Sequence, residues 1–424
     1  LEIKDDFPKF KTNEGFSFCN YPFILNPAMK SDILKIESVI NMRQELQDSF
    51  FRAMFIGVNS PYLVLEIRRD HIVRDAMCQL AAKPAAELRK QLKVRFVGEE
   101  AIDEGGVQKE FFQLVVREMF DAKYGMFEFN EETRLCWFTR MPPAADNHGD
   151  GSHEDEDTFA EHKLMGILIG LAIYNSVILD VHFPPVLYNK LMGKPAQLAD
   201  LRVLDPALAQ GLQALLDYDG DDLEEVFDRS FAVSYDYIGH TYHHELKPGG
   251  AQIPLTRANR VEFVDLYVAF LLHTSVARAF DAFRTGFESV CTGSAIKLFR
   301  PEEVEQLICG SSDLDFRALE QVTAYDGGFS TTSKVIRYFW DVVHAFSDEQ
   351  KKRLLFFTTG SDRVPIGGLG KLQFVIAKNG VDSDRLPTSH TCFNVLLLSE
   401  YESQDKLKDR LLTAIGNAEG FGLI

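Results

Sequence analysis

Between Leu164 and Leu179 the chain runs LMGILIGLAIYNSVIL. A helix that is apolar nearly all round has no face to give to water, so it has to be enclosed by other elements. Crossing a bilayer takes about 20 consecutive apolar residues; this run is shorter and is broken by Asn175 and Ser176. The pattern therefore predicts a helix through the middle of a large core, and no transmembrane segment. Gly166 and Gly170 lie one turn apart and permit close approach by a neighbour. With 424 residues and 34 phenylalanines, the chain can build two or three domains with interiors of their own.

Other helices carry their own punctuation. DPALAQGLQALLDY has Asp205 as N-cap and Pro206 at the first helical position, then Leu208, Leu212, Leu215 and Leu216 at one-face spacing. RANRVEFVDLYVAFLLHTSV sets Phe263 and Tyr267 one turn apart, with Phe270 and Leu271 extending the stripe. On spacing alone such stripes read as core rather than as a docking groove. Gly310, Ser311, Ser312 and Asp313 interrupt the apolar texture, as turn residues do at a loop or an interdomain hinge. Beyond them lies a compact α/β unit. FSDEQKKRLLFF opens with a capping box, Ser347 to Gln350; GGLGKLQFVIAKNG gives a loop and a strand; CFNVLLLS gives a second strand. SQDKLKDRLLTAIGNAEGFGLI closes with an amphipathic helix carrying Leu407, Leu411 and Ile415, stopped near Gly416 or Gly420. Gly367, Gly368 and Gly370 form no phosphate loop, because no Lys-Ser/Thr pair opens a helix after them.

A formal net charge of −18 argues against nucleic acid, which needs a basic face. It suits basic protein partners, or serves solubility alone. The cysteines Cys19, Cys78, Cys136, Cys291, Cys309 and Cys392 contain no Cys-x-x-Cys pair and are too sparse for a disulfide scaffold. A reducing compartment, cytosol or nucleus, is expected, with most of these residues serving as small buried hydrophobes. The acidic stretch AADNHGDGSHEDEDTFAEH, from Ala144 to His162, reads as a solvated loop whose His148 and His153 are not metal ligands. The first residue is Leu, with no leader sequence after it, so the chain looks like an excised catalytic or binding region.

One cysteine stands apart. In LPTSHTCFNVLL, Leu386 to Leu397, Cys392 is approached through turn-forming polar residues and leads into an apolar run, which suggests an accessible thiol. Were His390 to Asn394 extended, His390, Cys392 and Asn394 would share a face. Residues two apart on a strand are separated by roughly 6.6 Å, too far for direct side-chain hydrogen bonding, so a local protease triad is a poor reading. Exchange with an existing thioester asks for less, because the acyl group is already activated and the thiol needs only a modest thiolate fraction and room for its donor.

LPTSHTCFN resembles the active-site segment of the HECT ubiquitin ligases. The resemblance extends over almost the whole chain, through FVGEEAIDEGGVQKEFFQLV (Phe96 to Val115), GLAIYNSVILDVHFP (Gly170 to Pro184), KLMGK (Lys190 to Lys194), LFRPEEVEQLICGS (Leu298 to Ser311) and FTTGSDRVPIGGLGKL (Phe357 to Leu372). Within the family, SPYLVLEIRRDHI (Ser60 to Ile72) is most similar to the ligase associated with the papillomavirus E6 oncoprotein. The resemblance implies an α+β, bilobal HECT fold. A large, mostly helical N-lobe would span 1–310, with a small conjugating-enzyme-binding subdomain at about 195–270. A flexible hinge would occupy 311–314, and a small α/β catalytic C-lobe 315–424.

It also implies a ubiquitin-conjugating enzyme, ubiquitin and protein substrates as partners, transfer through a thioester on Cys392, and no metal, nucleotide or organic cofactor. The groove for the conjugating enzyme would use Leu208, Leu212, Leu215, Phe263 and Tyr267, flanked by Glu224 and Glu225, which reverses the core reading of those stripes. Arg229 departs from an apolar residue in the close relative. Tyr124 matches a position that holds a second ubiquitin, or is an ordinary half-buried tyrosine. His390 and Thr391 would orient or hydrogen-bond near the thiol. Phe421 matches a phenylalanine needed for transfer to lysine; the acid that ends some relatives is replaced by Ile424. Phe299 matches a self-association position, with a core role expected instead. The rival readings are a ubiquitin-binding scaffold without an intermediate and a cysteine hydrolase.

Overall fold

A computed structural model of the chain describes residues 3–56, 60–99, 106–142, 158–311, 313–391 and 393–417. The apolar run forms the helix Ala160–Tyr174, in which every residue from Leu164 to Tyr174 is buried. It is shorter than the run that announced it. Asn175 ends it, turning its Nδ2 back to the Leu171 carbonyl at 2.8 Å, and Ser176 takes a positive φ of 58°.

The neighbour that Gly166 and Gly170 admit is the helix Ala277–Val290. A Cβ on Gly166 would lie 1.9 Å from the Phe283 carbonyl oxygen, and one on Gly286 would lie 2.0 Å from that of Lys163. The two helices thus meet backbone to backbone through reciprocal glycines. The stretch Arg260–Val290 is apolar and long, but the 3-10 turn Thr274–Val276 splits it, and both parts bury residues in the core.

Around this pair lie a parallel strand pair, Tyr62–Ile67 with Gln91–Phe96 in register Tyr62 to Gln91 through Ile67 to Phe96, and the long helix Pro27–Ile56. Leu63, Leu65 and Ile67 alternate inward, as a one-sided strand must. Lys30 on the long helix reaches Glu303 on Pro301–Cys309 at 2.7 Å, with both side chains buried.

The buried apolar residues fall into two clusters, one from Phe7 to Cys309 and one from Phe316 to Ile415. The second is built on a four-stranded sheet in the order Ala324–Asp326, Val375–Lys378, Val395–Leu398, Thr388–His390. The first two junctions are parallel and the last is antiparallel. The helices Lys334–His344, Asp348–Thr359 and Gln404–Gly416 cover it. The capping box at Ser347 and Gln350 forms, and Leu407, Leu411 and Ile415 are buried.

Between the clusters, Gly310 adopts φ 69° and ψ −172°, a conformation open essentially to glycine. Ser311 then pairs with Val364 of the second cluster through two backbone hydrogen bonds, of 2.7 and 2.9 Å. Ser312 of the expected hinge, His148 and His153 lie outside the described residues. Phe299 is buried in the first cluster.

Candidate functional site

The segment around the singled-out cysteine is a hairpin, not one long strand. Thr388–His390 pairs antiparallel with Val395–Leu398, His390 opposite Val395 and Thr388 opposite Leu397. The strand stops at His390. The Phe393 amide donates to the His390 carbonyl at 3.1 Å, and Asn394 turns the chain with φ 52° while its Nδ2 donates to the Gln373 carbonyl at 3.0 Å. The strand expected over CFNVLLLS is thereby corrected: it runs only from Val395 to Leu398. The cause is the Asn394 left-handed turn, which asparagine tolerates better than most residues. Cys392 and Phe421 themselves lie outside the described residues.

Side chains and backbone hold this hairpin from several directions. Pro387 is buried, and Ser389 Oγ donates to the Phe357 carbonyl at 2.6 Å, tying the strand to the end of Asp348–Thr359. His390 is exposed, Thr391 is half-buried, and Phe393 is 54% exposed. Sequence reading passed over Phe393; an aromatic ring beside a polar turn is the signal that could have singled it out.

From the first cluster, the helix Gly106–Met119 reaches across. Lys109 Nζ donates to the carbonyls of Thr359, at 3.3 Å, and Thr391, at 3.2 Å. Gln113, one turn on, donates to the Gly360 carbonyl. The helix start is fixed by Arg69, which pairs with Glu110 at 2.7 Å and with Glu99, and lies 4.0 Å over the Phe96 ring. A cavity of about 910 Å³ opens between the clusters, with Glu110, Gln113 and Arg117 on one wall and Lys352, Gly360 and Asp362 on the other. Ile415 and Gly416 also line it, so the last helical turn ends at this cavity.

The other candidate residues occupy a separate region. Asp205 caps Pro206–Asp217 by accepting from the Leu208 amide at 3.0 Å. On that helix Leu212 and Leu215 are buried, as is Phe263 on Arg260–Leu272. They hold the helices together, and Phe263 packs edge-on to Phe231 and near Tyr267. Leu208 and Tyr267 are half-buried, and Glu224 and Glu225 are exposed. Exposed apolar side chains that sequence reading missed, Val203, Val226 and Val261, sit on the same group of helices. A one-dimensional stripe does not say which of its members face outward.

Tyr124 is half-buried and donates to Glu118 Oε1 at 3.1 Å; burial and that carboxylate push its phenol up to about 12. The described cysteines are free. Burial pushes the Cys19 and Cys309 thiols up to about 11 and Cys291 to about 12, which leaves them inert as nucleophiles at neutral pH. Cys78 is exposed. Among the described residues, no group of His, Cys, Asp and Glu has the geometry to hold a metal ion.

Residues 113–424 match the model of the HECT-domain (ubiquitin-transferase) family. The chain belongs to the HECT family. It is 43% identical to the probable E3 ubiquitin-protein ligase HECTD2 of Mus musculus, across all of this chain and 55% of that protein. It is 41% identical to the probable E3 ubiquitin-protein ligase HERC4 of Homo sapiens, across 96% of this chain and 38% of that protein. The probable E3 ubiquitin-protein ligase HUL4 of Eremothecium gossypii is 36% identical, over 96% of this chain and 49% of that protein. The chain thus spans about half the length, or less, of these curated relatives. The α+β architecture described above is that of a HECT domain.

Proposed function

We propose that this chain is the catalytic region of a HECT-type ubiquitin ligase, taking ubiquitin from a conjugating enzyme onto Cys392 and passing it to a lysine. The Cys392 thiolate attacks the carbonyl carbon of the ubiquitin thioester. A new carbon–sulfur bond forms, the bond to the conjugating enzyme's sulfur breaks, and that sulfur leaves as a thiolate. A lysine amine then attacks the second thioester, an amide forms, the amine gives up a proton, and the Cys392 sulfur departs and is reprotonated. The exchange is nearly isoenergetic, so positioning matters more than a strong base. No residue is assigned as general base; His390 and Thr391 orient the segment, and Phe421 docks the tail for transfer.

The observation that carries this reading is the pairing of Thr388–His390 with Val395–Leu398 at the edge of a mixed sheet, which leaves His390 and Phe393, on either side of the assigned cysteine, exposed. Family membership supports it. For the conjugating enzyme, Leu208 and Tyr267 with Glu224 and Glu225 form the reachable part of the groove, while Leu212, Leu215 and Phe263 set its floor. Tyr124 is the candidate contact for a second ubiquitin. The division into N-lobe 1–310, hinge 311–314 and C-lobe 315–424 is proposed on the two apolar clusters. Cytosol or nucleus is proposed as the compartment on the free thiols. SPYLVLEIRRDHI supports a particular kinship with the E6-associated ligase, and self-association is proposed only away from the buried Phe299.

Incubation with a charged conjugating enzyme, followed by non-reducing electrophoresis, tests the reading. A thiol-sensitive ubiquitin adduct should form, persist in Cys78→Ser, become thiol-resistant in Cys392→Ser, and vanish in Cys392→Ala. Normal chain synthesis by Cys392→Ser would show that the nucleophile lies elsewhere. Hydrolysis of a ubiquitin fusion without chain synthesis would favour a hydrolase.

A further inference from the structure

The bonds from Lys109 differ in kind from the others at the hairpin. Ser389 and Asn394 hold the turn from within its own cluster, whereas Lys109 holds it from the other. One ammonium spans two carbonyls, Thr359 and Thr391, that are distant in sequence but brought together by the Ser389–Phe357 bond. Gln113, on the same helix face, takes the next carbonyl, Gly360. The two donors therefore grip the helix end and the hairpin as one body. Thr391 is covalently joined to Cys392, so holding its carbonyl fixes the orientation of the peptide that carries the assigned nucleophile.

We propose that Lys109 is a positioning residue for discharge of the thioester, orienting the Thr391–Cys392 peptide while the two clusters are docked. The inference rests on the assignment of Cys392 above. Two observations place the contact after loading rather than during it. The helix Gly106–Met119 packs on Gln91–Phe96, Ile72–Leu80 and Ala160–Tyr174, whereas the groove helices Pro206–Asp217 and Arg260–Leu272 pack on Leu198–Leu204, on the turn Thr274–Val276 and on each other. A thiol segment held by Lys109 is thus not held at the groove. The inter-cluster cavity also opens at Gln113 and Gly360, beside the grip, and its volume of about 910 Å³ admits an incoming lysine side chain. A charge-assisted hydrogen bond that is partly shielded from water is stronger than a neutral one, which suits a contact that must re-form in each cycle.

The test separates loading from discharge. Wild type, Lys109→Met and Lys109→Arg of the full chain are loaded from a charged conjugating enzyme, then chased with free lysine and sampled under non-reducing conditions. Loading in both variants should run at the wild-type rate, which also certifies their fold. Discharge should slow by roughly 10- to 100-fold in Lys109→Met, in the range that a misplaced reacting group costs. The half-saturating lysine concentration should stay unchanged, and Lys109→Arg should recover most of the rate because its donors reach the same carbonyls. Unchanged or faster discharge in Lys109→Met, loading that falls by the same factor, or an arginine variant no better than methionine would each overturn the proposal while leaving Cys392 in place. A wild-type chain that forms no thiol-sensitive adduct would overturn both.

Discussion

His162 is buried to 2% exposure among Phe127, Phe138 and Phe159, with the Met126 backbone as a weak hydrogen-bonding neighbour that does not offset burial. Burial holds its pKa down at about 4, against an ordinary histidine near 6.5 in the unfolded chain. Below 6.5 the unfolded state binds a proton that the folded state refuses, so stability contributed by the neutral ring is present above 6.5 and lost as pH falls toward 4. The loss should reach about 3 kcal/mol across that window. Denaturant titrations at pH 7 and pH 4.5 should show this slope in the wild type and a shallower one in His162→Leu. Equal slopes would mean that the ring is hydrated or paired in solution. The cysteines divide by the same physics: burial raises the thiols of Cys19, Cys291 and Cys309, so a thiol-reactive probe should label Cys78 and Cys392 well before them.

Between elements, close approach and buried charge set the sharpest expectations. At Gly166 and Gly286 an added methyl meets backbone of the opposing helix, which cannot move aside as a side chain tip can. Gly166→Ala should cost about 3 kcal/mol or more, the upper range for overpacking, read as a lowered melting temperature. Gly211 on Pro206–Asp217 has nothing within 4 Å of its added Cβ, so Gly211→Ala should raise stability by about 0.5–1 kcal/mol through helix propensity. The Lys30–Glu303 pair ties the long helix to Pro301–Cys309 with both ends buried. Lys30→Met would leave Glu303 charged with only the exposed Arg300 beside it, and should cost about 3 kcal/mol, the low end for breaking a buried pair. Adding Glu303→Met should return much of that loss. A double variant as unstable as the single one would mean that Glu303 acts through its other bonds, to Arg300.

For the whole molecule, the passage between the clusters is narrow. Gly310 needs its left-handed φ, and a Cβ there would lie 2.7 Å from the Val364 carbonyl oxygen. Gly310→Ala should break the Ser311–Val364 bridge and expose residues 310–316 to protease, with cleavage there rising while each cluster stays intact. Protection equal to wild type would show that the bridge survives the strain. The helix caps at Asp205 and Ser347 and the close-packing spacing of Gly166 and Gly170 were legible along the chain, because each is written in residues close in sequence. The outward members of the apolar stripes were less legible: Leu212, Leu215 and Phe263 share the spacing of Leu208 and Tyr267, yet burial separates them. The strand expected over CFNVLLLS starts only at Val395, since nothing local announces that Asn394 takes a positive φ.

By itself the sequence determined that a non-amphipathic helix must be enclosed, where helices begin, and which cysteine stands in polar, turn-forming company. Those properties follow from side-chain chemistry and short-range backbone preference. Only the tertiary structure decided that Lys109 of one cluster would grip the carbonyl beside Cys392 in the other, 282 positions away. A hydrogen bond to a backbone carbonyl leaves no mark in residue identity at its acceptor, so packing alone selects it.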